Sequence, residues 1–179
     1  MRQKRITAIM MASAMVFALM GCGSGSAGAI STEITQADPS FEYNGKTVSF
    51  TDDPQTVVEA IKSVAELADE VDGEESSGKT YDFDKNGENY NLSISTSADE
   101  GSEIIGSMLV NGGEFKTSKG IGIGSKAEEV EAAYGNPNER TKLKKEEIYA
   151  YKCDGYSFSF TIKGGQVKSI LYSNSNFHG

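Results

Sequence analysis

Thr117-Ser-Lys-Gly-Ile-Gly-Ile-Gly-Ser-Lys-Ala-Glu-Glu-Val-Glu-Ala-Ala-Tyr-Gly-Asn-Pro137 is the most regular stretch of this 179-residue chain. It reads as a short strand, a turn, a helix and a stop. Ile121 and Ile123 alternate with glycines, which suits a small, partly buried strand. Ser125 is placed to cap a helix, and Glu128 three residues later completes a capping-box pattern. Val130, Ala133 and Tyr134 share one helical face. Gly135 is placed to end the helix in the left-handed conformation, and Pro137 blocks its resumption. The glycines at 120, 122 and 124 meet neither dinucleotide nor phosphate-loop spacing, so they read as a strand-to-helix hinge.

A fainter copy of the same order spans Gly45 to Val64. Val48 aligns with Ile121, Phe50 with Ile123, Val57 with Val130 and Ile61 with Tyr134, all at one constant spacing. Thr51, Asp52 or Asp53 can cap the earlier helix, and Pro54 suits its first turn. Apolar residues at helical spacing predict that this helix runs to Val71. Beyond it, Tyr90, Leu92 and Ile94 alternate as Tyr156, Phe158 and Phe160 do. Ile105 to Met108 aligns with Val167 to Ile170. Asn86-Gly87, Asp154-Gly155 and Gly164-Gly165 are hairpin turns. Duplicated units keep their elements and vary their loops. The expected fold is therefore α+β: two tandem repeats, residues 41–113 and 114–179, each with one helix on a small antiparallel sheet.

The amino terminus carries an address. Arg2, Lys4 and Arg5 precede an apolar run from Ile6 to Met20, too short for a stable membrane span. Residues 1–21 read as a signal peptide closing on Leu19-Met20-Gly21-Cys22, which resembles the lipobox of bacterial lipoproteins. That resemblance implies lipidation of Cys22, palmitate included, and a membrane anchor for the domain behind it. Residues 22–40, small and polar, form a flexible tether. Gly23, rather than an aspartate, follows the cysteine, so the expected location is extracytoplasmic, on a Gram-positive membrane.

Composition excludes several classes of function. Of 17 basic residues the signal peptide removes three, leaving 14 against 26 acidic ones, a net charge of −12. Nucleic acid and anionic lipid surfaces both select the opposite sign. With Cys22 acylated, Cys153 has no partner for an intramolecular disulfide and reads as a small half-buried residue. His178 is the only histidine, which argues against zinc sites and His-dependent nucleophilic catalysis. Asp82-x-Asp84-x-Asn86-Gly87 resembles the start of a calcium loop. Position twelve is Ser93 rather than a bidentate glutamate, and position eight is Asn89. A charged hairpin is the preferred reading, with Asp82, Asp84 and Asn86 kept as calcium candidates. Tyr81, Tyr90, Tyr149, Tyr151, Tyr156 and Tyr172 fall mainly in strands, as core residues or as an exposed binding row.

The pattern Gly-Ile-Gly-Ile-Gly, Val130, Tyr134-Gly135-x-Pro137 and Tyr149-x-Tyr151, closing on a glycine-bounded hairpin, resembles a group of Firmicute envelope lipoproteins of unassigned function. More distantly it is similar to β-lactamase-inhibitor-protein-like tandems and to outer-membrane assembly lipoproteins of the BamE/SmpA type. The resemblance covers about Gly45 to Tyr172. It implies tandem helix-plus-sheet units and a tendency to bind proteins, and it brings no catalytic residue and no cofactor. The expected function is thus a non-enzymatic, lipid-anchored module binding an envelope protein or peptide. The alternative is a small solute- or calcium-binding surface module.

Overall fold

The structure, a computed structural model, describes residues 35–73, 78–99 and 102–175. The expected signal peptide, Cys22, most of the expected tether and His178 lie outside these residues. Among the described residues the order is β1 (Ser40–Tyr43), β2 (Lys46–Ser49), α1 (Pro54–Lys62), β3 (Leu67–Asp72), β4 (Lys79–Asn86), β5 (Asn89–Asp99) and β6 (Ser102–Val110). Then follow β7 (Phe115–Thr117), α2 (Ala127–Tyr134), β8 (Glu139–Lys142), β9 (Glu146–Lys152), β10 (Tyr156–Lys163) and β11 (Gln166–Asn174).

The expected pair of α+β repeats is not what forms. The protein is mostly β, with one eight-stranded antiparallel sheet and one three-stranded sheet. The large sheet runs β3-β4-β5-β6-β11-β10-β9-β8 and the small one β2-β1-β7. Two features override the helix-on-sheet reading. The strands of the two halves join edge to edge, β6 pairing with β11 from Val110–Ile170 to Ser107–Ser173. The helices, nine and eight residues long, are too short to cover so wide an apolar face. The small sheet supplies the missing cover. It takes β1 and β2 from before residue 113 and β7 from after it, so it crosses the expected boundary.

Strict alternation explains which face is covered. On β10, Tyr156, Phe158, Phe160 and Ile162 point one way, and all are buried. Tyr134 of α2 packs edge-on against Phe158 at 4.9 Å. Phe41 stacks on Phe115 at 5.4 Å within the small sheet, and Phe50 meets Tyr172 of β11 at 5.4 Å. Each fully buried aromatic contributes about 1.5–3 kcal/mol by leaving water, and well-placed ring pairs add roughly 0.5–1.5 kcal/mol. With no tryptophan in the chain, phenylalanine and tyrosine clusters build this core.

Two local expectations also change. Helix α1 stops at Lys62, where the Ser63 hydroxyl donates to the Ala60 carbonyl at 2.5 Å. Of the residues expected to continue it, 63–66 turn the chain and those from Leu67 on form β3. The cause lies across the chain: Asp84 N–H donates to the Glu66 carbonyl at 2.9 Å, and Glu66 N–H donates to Asp84 Oδ1 at 3.0 Å. That reciprocal pair pulls the chain onto β4. In the second half the strand is β7, and Ile121 lies in the loop after it. Thr117 N–H donates to the Ile121 carbonyl, and Ile121 N–H to Thr117 Oγ1. The cap is Lys126 rather than Ser125, with Glu129 Oε2 accepting the Lys126 N–H at 2.8 Å.

Candidate functional site

The uncovered face of the eight-stranded sheet follows from pairing register. Pairing places Asp69, Asp82, Ser93, Leu109, Leu171, Ser159, Ala150 and Glu139 in one row, a residue from each strand. A second row holds Val71, Thr80, Ser95, Ser107, Ser173, Ser157 and Lys152. Five neighbouring strands thus present Thr80, Ser95, Ser107, Ser173 and Ser157 side by side, all half-buried. Successive side chains of a strand alternate in direction, so each of these residues is the polar counterpart of a core neighbour.

Val71 at the edge, Ala150, Leu109 and Leu171 break the polar phase. Leu109 and Leu171 sit directly opposite each other at the centre of the face, and they are 37% and 39% exposed. The signal was present in the sequence. Met108-Leu109-Val110 and Ile170-Leu171-Tyr172 each carry an apolar residue where alternation calls for a polar one. Sequence reading missed it because such runs also describe a strand buried on both faces. An apolar centre ringed by hydroxyls and acids has the make-up of a small protein interface.

The tyrosines divide otherwise than as a row. Tyr81, Tyr149, Tyr151, Tyr156 and Tyr172 are core residues. Tyr90 alone of the six is half-exposed, its hydroxyl 3.4 Å from Asp69 Oδ2. Burial pushes the Tyr151, Tyr156 and Tyr172 hydroxyls above the ordinary phenol value, so they stay protonated. Cys153 is buried, and that burial raises its thiol pKa, keeping it from the reactive thiolate form.

The calcium candidates lie in β4 and its turn, and their oxygens have other partners. Asp82 Oδ1 accepts from Ser93 at 2.5 Å. Asp84 Oδ2 accepts from the Tyr43 hydroxyl at 2.7 Å and Oδ1 from Glu66 N–H. The Asn86 amide reaches Asn91 at 3.4 Å. Among the described residues no three acid, histidine or cysteine groups come together as a metal site. A depression of about 260 Å³ lies beside Lys142, Lys145, Glu147, Tyr149 and Gly165. Its lysines are exposed, and it opens broadly to solvent. Cys22 falls outside the described residues. No protein-family model, curated protein or solved structure matches this chain.

Proposed function

We propose that this chain is a non-catalytic binding module, held outside the cell by a lipid on Cys22, that docks a protein or peptide of the envelope on the open sheet face. The observation that carries the docking reading is the Leu109–Leu171 pair, exposed at the centre of a hydroxyl-lined face. Small side chains let a partner approach the sheet closely, and the leucines supply the desolvated centre that dominates most interfaces. The lipobox and the acidic, histidine-poor composition support the anchored, non-enzymatic part. The solute- and calcium-binding alternative has less support, since Asp82 and Asp84 already hold structural hydrogen bonds.

The test is cross-linking of the full chain in its native envelope, comparing wild type with L109D/L171D and with a control charge placed at Lys116, which lies on the small sheet. An adduct kept by the control and lost in the leucine variant supports the reading. Identical adducts in all three overturn it. The anchor is tested separately: C22S abolishes incorporation of a palmitate analogue and frees the chain from membranes, whereas unchanged labelling removes the lipoprotein reading.

A further inference from the structure

We infer that copies of this chain join edge to edge, β3 of one against β8 of the next. The inference uses the two ends of the large sheet, and it requires neither the open-face partner nor the anchor. Among the described residues no strand pairs with the outer side of β3 or of β8. An unpaired edge presents a row of backbone donors and acceptors that a further strand can satisfy.

Strand direction makes the two edges compatible. All seven pairings in the sheet are antiparallel, so the first and eighth strands run oppositely. A second copy set beside the first by translation, with only the sheet's own twist, brings β3 antiparallel to β8. The alternation continues, and the open face stays on the same side.

Charge selects this junction over the others. On β3, Glu70 and Asp72 lie on the covered side, Glu70 opposite buried Tyr81, while Asp69 and Val71 lie on the open side. On β8, Arg140 and Lys142 lie on that same covered side, Arg140 opposite Tyr149, while Glu139 and Thr141 lie on the open side. A register that keeps both faces continuous sets Glu70 opposite Lys142, Asp72 opposite Arg140 and Val71 opposite Thr141. Cross-strand pairs of opposite charge favour pairing and like charges oppose it. Two β3 edges would bring acids together, and two β8 edges would bring cations together.

The groups already facing these charges are half-exposed. Lys79 bridges Glu70 at 2.7 Å and Asp72 at 3.4 Å, Glu131 holds Arg140, and Glu147 stands 4.0 Å from Lys142. Glu66 flanks the acidic edge, and Lys144 and Lys145 flank the basic one. The net negative charge opposes association at long range. At about 0.15 M salt that repulsion is screened beyond roughly 8 Å, while contact pairs persist. The junction is short, so it is weak and concentration-dependent. Because it is head-to-tail, it propagates into rows rather than closing as a dimer.

The test is disulfide trapping in the full chain with C22S/C153S, so that neither native thiol competes. V71C and T141C are made singly and together, with folding checked by circular dichroism. Mixing the two single variants is expected to give a dimer that neither forms alone. The double variant is expected to give a ladder of multimers. Adding E70K/D72K to V71C is expected to cut the mixed dimer at least fivefold, and placing R140E/K142E on the T141C partner should restore it. No mixed dimer under oxidation, equal dimers from either variant alone, or no response to the charge reversals overturns the proposal. These outcomes are independent of L109D/L171D, so either reading can fail without the other.

Discussion

Asp84 is a non-glycine residue in the left-handed backbone region, with φ at 50° inside a strand. Aspartate tolerates that region better than most side chains. Its carboxylate accepts from Tyr43 and from Glu66 N–H, and the Asn44 amide lies 3.4 Å away. One side chain thus ties the small sheet and the α1–β3 connection to the large sheet. Hydrogen bonds to a charged group contribute about 1.5–3 kcal/mol each. D84A is expected to cost roughly 3 kcal/mol in urea unfolding, and D84N clearly less, because asparagine keeps the conformation and part of the bonding. Chelator is expected to leave the melting temperature unchanged. A rise on adding calcium would restore the metal reading of Asp82 and Asp84. Gly122 carries a different constraint. A Cβ there would sit 2.3 Å from the Phe115 carbonyl oxygen, so the backbones of the hinge and β7 approach too closely for any side chain. G122A is expected to destabilise by roughly 1–3 kcal/mol through overpacking, measured by urea unfolding. The sequence comparison, with Ser49 and Thr51 near the corresponding positions, implies that these glycines are dispensable. The close approach accompanies the folding of the loop back on β7 through the Thr117–Ile121 hydrogen bonds, so residues 120–124 by themselves do not announce it.

At the scale of elements, the entry to α1 was legible, the entry to α2 and the β4–β5 turn were legible to within one residue, and lengths were not. Asp53 caps α1 through Thr56 N–H at 3.0 Å, as the Thr51–Pro54 run indicated. Gly135 ends α2 with φ at 78°. Gly164-Gly165 turns its hairpin as expected, while the β4–β5 turn is Gly87-Glu88, one residue past the expected Asn86-Gly87, because Asn86 pairs with Asn89. These are signals carried by two to four neighbouring residues. The end of α1 was not legible, because Val64, Ala65 and Ala68 keep helical spacing, whereas Val64 and Ala65 fall in a turn and Ala68 in the strand that pairs with β4. Strands β7 and β8 were missed for a related reason: three or four residues are too few to show a period. The entry to β1 carries a testable pH dependence. Asp38 accepts the Ser40 N–H at 2.8 Å, and that backbone hydrogen bond holds its carboxyl below the ordinary aspartate value. A group whose pKa falls on folding adds stability above its unfolded value and loses it as pH drops through its folded value. Wild type is therefore expected to exceed D38N in stability above about pH 4, with the gap closing at lower pH. A gap independent of pH between 2 and 6 would show that the carboxylate charge is not responsible.

For the whole molecule, one aromatic core joins both sheets and both helices, so unfolding is expected to be a single cooperative transition. Phe158 lies at its centre, within 5.6 Å of Tyr134, Tyr151, Phe160 and Tyr172. F158A is expected to cost about 3–5 kcal/mol as a large-to-small core substitution. Cys153 provides the readout. Buried and held protonated, it is expected to react with iodoacetamide only as the chain opens, so F158A should speed labelling by the same factor that it raises the unfolded fraction. Rapid labelling at Cys153 in the native chain, read with C22S, would contradict the buried, protonated thiol. The open face is legible at this scale only. Leu109 and Leu171 lie 62 residues apart in sequence, and the pairing of β6 with β11 makes them neighbours. The calcium motif shows the converse, since Asp82 and Asp84 are close in sequence yet their oxygens are engaged by Ser93, Tyr43 and Glu66.

Sequence alone determined the signal-like amino terminus as an expectation, the acidic surface and the alternating strands, and it placed the helix entries and the tight turns to within a residue. Each rests on residues within a few positions of one another, where side-chain period, capping and backbone freedom act directly. Tertiary structure decided that the halves share one sheet, that a three-stranded sheet beside two short helices covers the aromatic face, and which polar residues are brought together. Those outcomes depend on edge pairing between distant strands and on the area of apolar surface left to cover, and neither quantity is written in any single stretch. The hinge from Thr117 to Pro137 shows both kinds of control: its turns and helix follow from its own residues, while its glycine at 122 is explained only by the strand that passes beside it.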